Sequence, residues 1–118
     1  NKNKRLIYTK SGVKCYDYFT KFSLQNFQKN NVGDLIFNSI DRDGTGQGLD
    51  LDLIKEFRKI TNPVILMGGA GKPEHIVNAL KLKNINGVAT SNIFNFLGKG
   101  LSSVRENLFQ MKINIAKF

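Results

Sequence analysis

The chain is predicted to be an α/β protein built on a parallel sheet, and three observations predict it. Short apolar runs recur at 34–40 (Asp34-Leu-Ile-Phe-Asn-Ser-Ile40), 63–67 (Pro63-Val-Ile-Leu-Met67) and 87–91 (Gly87-Val-Ala-Thr-Ser91), with little polar alternation. That is the pattern of strands buried on both faces. Each run is followed by a glycine-rich or polar turn and then by residues at helical spacing. The units succeed one another at roughly 25–30 residues, the length of a βα repeat.

Taken in order, Arg5 to Thr9 is a short extended stretch around Tyr8, and a helix is expected from about Tyr16 to Lys29 on the spacing of Phe19, Phe22 and Phe27. The first apolar run is followed by Leu51, Ile54 and Phe57 at helical spacing, with Asp50 placed to cap that helix. The second leads to Pro73, suited to a first helical position, and to the stripe Ile76, Val77, Leu80. The third leads to the stripe Leu101, Val104, Leu108, Met111. The expected order is α-β-α-β-α-β-α.

Two architectures accommodate such repeats, a doubly wound sheet and part of a (β/α)₈ barrel. A full barrel takes roughly 200–250 residues, and this chain has 118. Three parallel strands leave faces and edges uncovered. The expectation is a single domain over 1–118 that is a piece of a larger fold or one half of an assembly.

Composition narrows the function. An apolar share of 41% excludes wholesale disorder. No apolar run reaches the ~18–20 residues of a membrane span, so no membrane partner is expected. One cysteine, Cys15, allows no internal disulfide, and one cysteine with one histidine, His75, is a poor zinc set. A cytoplasmic, reducing setting is expected. Eighteen Lys and Arg against nine Asp and Glu give a net charge of +9, which points to an anionic partner. The basic residues are scattered and not blocked, so a nucleic acid is not the expected one.

The chemistry lies in the turns that end the apolar runs: Ser39-Ile-Asp41-Arg-Asp43-Gly44-Thr45-Gly46, Gly68-Gly69-Ala70-Gly71, and Thr90-Ser91-Asn92 leading to Ile93-Phe94. In parallel α/β folds ligands bind beyond the C-terminal strand ends. Glycines there let backbone N–H groups approach an anion, hydroxyl side chains add donors, and the N-terminus of a short helix adds its dipole. These turns therefore predict a phosphate site. Asp41 and Asp43 are candidates for orienting a ligand, acting as acid or base, or capping backbone N–H groups. Asp43 before Gly44 also suits a plain turn.

The motifs Ser39-Ile-Asp-Arg-Asp-Gly-Thr45, Gly48-Leu-Asp50 and Gly68-Gly-Ala-Gly71 resemble those of the HisF family, the cyclase subunit of imidazole glycerol phosphate synthase. Tyr8-Thr-Lys-Ser-Gly12 resembles the segment after that barrel's fifth strand, so the likeness runs from about Tyr8 to the end. It implies a (β/α)₈ barrel of the ribulose-phosphate-binding type, with this chain as its C-terminal half carrying βα units six to eight. The sister isomerase HisA has a similar first motif but usually lacks the Gly-Gly-Ala-Gly form.

The resemblance implies a lyase of histidine biosynthesis. It takes ammonia from a glutaminase partner and acts on a bis-phosphorylated substrate, with no metal or organic cofactor. Residue by residue, it places one phosphate on Asp43, Gly44, Gly68, Gly69, Thr90 and Ser91, with Asp41 and Asn38 as ligand-orienting positions and Asp34 near the ammonia entrance. The family's two catalytic aspartates belong to strands one and five, so no catalytic residue is expected in this segment. Its edges are expected to pair with an N-terminal half-barrel or with a second copy.

This sequence also departs from the family. Asn38 stands where Thr is usual, Met67 where Ser is usual, and Asn95 where His is common, and the stretch Thr90 to Phe94 is one residue longer. These changes resemble HisF-like paralogues associated with surface-polysaccharide genes, which implies supply of ammonia for amidation of a sugar. A non-catalytic phosphate-binding half-barrel is the further alternative. His75, in the first turn of a helix, is expected to be a surface residue, and Cys15 has no base beside it.

Overall fold

The computed structural model describes residues 5–18, 32–56, 60–91, 93–96 and 100–116. The chain divides into two compact units, residues 1–32 and 33–118, where the sequence is expected to form one domain.

The first unit contains an antiparallel hairpin of β1 (Leu6–Thr9) and β2 (Lys14–Tyr18). The expected extended stretch is β1. The helix expected from about Tyr16 is a strand at Lys14–Tyr18, and its remainder, with Phe19, Phe22 and Phe27, lies outside the described residues. The turn explains the difference. Lys10, Ser11 and Gly12 have φ of 51°, 54° and 87°, and Val13 N–H donates to the Lys10 carbonyl at 3.2 Å. A left-handed turn of this kind returns the chain antiparallel to itself, and the following residues take the ladder in place of a helix.

The second unit is a three-stranded parallel sheet in the order β3 (Leu35–Asn38), β4 (Val64–Met67), β5 (Gly87–Ala89). All three lie within the predicted apolar runs. Leu35 pairs with Val64 and Phe37 with Leu66, while Leu66 pairs with Val88. Leu35, Val64 and Leu66 are buried. The alternate residues face the other way, and there the expectation of two buried faces fails at β3. Ile36 is 61% exposed and Asn38 is exposed, while Ile65 and Met67 are half-buried. One face of this sheet carries the core and the other is open.

Helix α1 (Pro73–Leu80) starts as predicted, with Pro73 supplying a helical φ where no N–H is needed. Ile76, Val77 and Ala79 are buried, and the helix packs on β5 and on the later helix at Gly100–Gln110. A one-turn helix α2 (Ile93–Phe96) precedes α3 (Gly100–Gln110). Val104 and Leu108 of the predicted stripe are buried, but Leu101 is exposed, and Met111 is also exposed and lies past the helix end. The segment after β3 forms a 3₁₀ helix, Leu51–Glu56, in place of the expected α-helix, and Phe57 lies outside the described residues. Burial of Val64, Leu66, Val77, Ile93 and Val104 stabilises the unit by about 1.5–3 kcal/mol for each large side chain.

Candidate phosphate-binding site

The two glycine loops leave neighbouring strands and touch backbone to backbone. Ser39 N–H extends the β3–β4 ladder by donating to the Met67 carbonyl at 3.0 Å. The chain then coils tightly. Arg42 N–H and Asp43 N–H both donate to the Ser39 carbonyl, at 3.1 and 2.9 Å. Thr45 locks the next turn: its Oγ1 donates to the Arg42 carbonyl at 2.7 Å and accepts from Gln47 N–H at 3.3 Å. Gly48 N–H then donates to the Gly69 carbonyl at 2.7 Å, tying the first loop to the second.

The second loop needs its glycines. Gly69 has φ +95°, and a Cβ there would come within 2.9 Å of the Arg42 Cβ. A Cβ on Gly71 would lie 2.6 Å from the Gly46 Cα. Side chains at either position would push the loops apart. Among the described residues, no backbone carbonyl outside the helices and strands accepts from the Gly44, Gly69 or Ala70 N–H.

A cleft of about 330 Å³ lies where the loops meet. It is lined by residues 43–46, by 67–71, and by Thr90, Ser91 and Ile93. All six expected phosphate residues, Asp43, Gly44, Gly68, Gly69, Thr90 and Ser91, are among them. Helix α2 is a single turn, so the donors facing the cleft are loop N–H groups and hydroxyls more than a helix dipole. Met67 and Ile93 give the cleft an apolar side. Asn38 does not line it; its Nδ2 donates to Asp43 Oδ2 at 3.4 Å, steadying that carboxylate. Asp41 is exposed in the turn and does not line it either. Asp34 lies just before β3, at the opposite end of the strand, and is exposed. Asn92 lies outside the described residues. Among the described residues, no cluster of His, Cys, Asp and Glu could hold a metal ion.

Sequence reasoning missed His75. Its ring is partly buried, and Nδ1 accepts a hydrogen bond from Gly71 N–H at 3.2 Å. The same ring lies over the open side of Gly48, where a Cβ would meet three ring atoms at 3.7 Å. Burial lowers its pKa below the ordinary 6.5, Lys72 lowers it further, and Glu74 partly opposes them. A signal was available: a histidine four residues after a loop glycine, just inside a helix begun by proline, is placed to turn back on that loop.

A parallel α/β sheet with one cleft at the C-terminal ends of consecutive strands defines the class of the second unit. The chain belongs to the histidine biosynthesis protein family, whose model matches residues 4–99. It is 45% identical over 74 residues to a protein of Parasynechococcus marenigrum (strain WH8102) provisionally named imidazole glycerol phosphate synthase subunit hisF2, covering 62% of this chain and 28% of that protein. It is 30% identical over 111 residues to imidazole glycerol phosphate synthase subunit HisF of Thermotoga sp. (strain RQ2), covering 93% and 44%. It is 29% identical over 106 residues to the subunit of the same name in Aliivibrio salmonicida (strain LFI1238), covering 89% and 41%. The chain spans about half the length of these relatives.

Proposed function

We propose that this chain is the C-terminal half of a HisF-type (β/α)₈ barrel and supplies one of its two phosphate sites. The observation that carries the reading is the convergence of glycine and hydroxyl loops from three consecutive parallel strands on one cleft. Backbone N–H groups at Gly44, Gly68 and Gly69 hold the phosphate oxygens, Thr90 and Ser91 add hydroxyl donors, and Asp43 orients the ligand. The open apolar face with Ile36 and Ile65 supports the half-barrel, since a barrel interior closes over that face with further strands.

The parent activity in this proposal is a lyase of histidine biosynthesis. It consists of ammonia-dependent cyclisation and cleavage of a bis-phosphorylated substrate in the cytoplasm. A glutaminase subunit docks at the N-terminal end of the sheet, near Asp34. The segment holds substrate and contributes no catalytic group, so the chain alone is expected to bind without turnover. Asn38 and Met67 favour a second reading, the HisF-like paralogue that supplies ammonia for sugar amidation. Asn38 holds Asp43 and Met67 adds an apolar wall, in positions where the family has hydroxyls.

Titration of the chain with inorganic phosphate, followed by amide NMR, tests the site. Shifts concentrated at Gly44, Gly69, Ala70, Thr90 and Ser91 are expected. Shifts centred on the β1–β2 hairpin, or none up to about 50 mM, well beyond the ~1 mM that corresponds to only −4.1 kcal/mol, would overturn it.

A further inference from the structure

We propose that His75 is a positioning residue that holds the two phosphate loops in register through a neutral imidazole, and that its protonation releases the grip. The inference rests on the phosphate-site reading and extends it to a residue outside the cleft. Two contacts carry it. The Gly71 N–H is a permanent donor, so the Nδ1 that meets it at 3.2 Å has to present a lone pair, and the proton of the neutral ring sits on Nε2. The second is the closeness of the ring to Gly48, where an added Cβ would meet it at 3.7 Å, and Gly48 N–H ties the first loop to Gly69 at 2.7 Å. One ring is thus placed against both loops, next to Gly69 and Ala70 of the cleft lining.

Protonating Nδ1 turns the acceptor into a donor and sets two N–H groups against each other. The charged groups acting on the ring are Lys72 beside the helix start and Glu74 next to it in α1, and the opposing loop presents uncharged Gly48. Burial and Lys72 disfavour the imidazolium in the fold. A histidine whose pKa is lowered on folding contributes stability that is complete above the unfolded value and lost as pH falls through the folded one. Loop order therefore falls on acidification below about 6.5.

The sign of the pH effect separates this role from others. An imidazolium acting as a direct anion ligand would strengthen anion binding in acid. A positioning role weakens it. The probe is sulfate, which stays a dianion throughout, titrated into the chain at about pH 8 and about pH 5, on either side of the histidine range.

Wild type is expected to lose about tenfold in sulfate affinity in acid, the equivalent of 1.4 kcal/mol, with the Gly71 amide shift following the same titration. His75→Asn offers an acceptor oxygen at the position of Nδ1 at every pH. It is expected to bind sulfate with a pH-independent affinity close to the wild-type value at pH 8. His75→Ala is expected to bind weakly at both pH values. Sulfate affinity that is flat or rises in acid overturns the inference alone. An acid loss shared by His75→Asn also overturns it, because the cause is then general unfolding. Absence of sulfate binding by wild type at both pH values overturns the phosphate reading, even where Gly71 still follows the imidazole.

Discussion

The two ends of the parallel sheet are held together by different chemistry. At the N-terminal end side-chain amides reinforce backbone ties such as Leu35 N–H to the Pro63 carbonyl at 2.9 Å. Asn62 Nδ2 donates to the Gly33 carbonyl at 3.2 Å, and Asn86 closes a pair with Val64, accepting from its N–H on Oδ1 at 3.1 Å and donating its own N–H to its carbonyl at 2.8 Å. At the C-terminal end the ties between strands and loops are mainly backbone to backbone, Ser39 to Met67 and Gly48 to Gly69, with Gly71 close against Gly46. Amide side chains use up the main-chain groups at their end and leave a surface that contributes stability. Glycines let two loops touch without side chains between them, and the cleft lies where those loops meet. Within one sheet, the end that carries the candidate site is the end where glycines stand in place of larger side chains.

The largest test of that contrast is Gly69→Ala. The new methyl would sit 2.9 Å from the Arg42 Cβ on a backbone with φ +95°. A non-glycine residue in such a conformation costs about 1–3 kcal/mol. The loops separate, and sulfate affinity is expected to fall by more than about tenfold, or 1.4 kcal/mol, in an isothermal titration. Unchanged affinity would mean that the loop contact does not shape the site.

Asn86→Ala probes the other end. It strips the acceptor from the N–H of Val64, a residue 1% exposed. A buried donor left alone costs about 1–3 kcal/mol, read as a lower denaturant midpoint. Sulfate affinity is expected to stay within about twofold of wild type, since the two ends share no partner. A matching loss of affinity would erase the distinction between the ends.

What the sequence made legible follows the same division. The strands were visible because β3, β4 and β5 fall inside unbroken apolar runs, and the cleft was visible because glycines and hydroxyls cluster where those runs stop. The hairpin was not, because the turn at Lys10 to Gly12 depends on left-handed backbone at two non-glycine residues, which composition does not mark. The aromatic residues beyond it also have helical spacing. The 3₁₀ helix at Leu51–Glu56 has the same apolar spacing as one turn of α-helix and is too short for periodicity to separate them. The exposure of Ile36 is not legible because an apolar run says that a strand can be covered on both faces, not that this chain covers it. His75 reads as a surface residue because the sequence shows no side-chain partner for it. Its partner is a backbone N–H, which every residue but proline carries and no motif records.

Thr45→Val is the smallest effect and sharpens the contrast furthest, because it removes one of the few side-chain ties within the glycine end. The methyl replaces a hydroxyl that donates to the Arg42 carbonyl and accepts from Gln47 N–H. Both lost bonds are exposed, so water largely replaces them and the net cost falls at or below the low end of about 0.5–1.5 kcal/mol. That cost is confined to the turn, and amides from Asp43 to Gln47 are expected to exchange faster while the denaturant midpoint barely moves. Sulfate affinity is expected to drop about threefold, in proportion to the turn's lost order. Thr45→Ser keeps the hydroxyl and is expected to restore both exchange rates and affinity. If Thr45→Ser recovers the affinity but Thr45→Val never changed the exchange rates, the hydroxyl touches the anion itself. The glycine end would then bind through a side chain as well as through bare backbone.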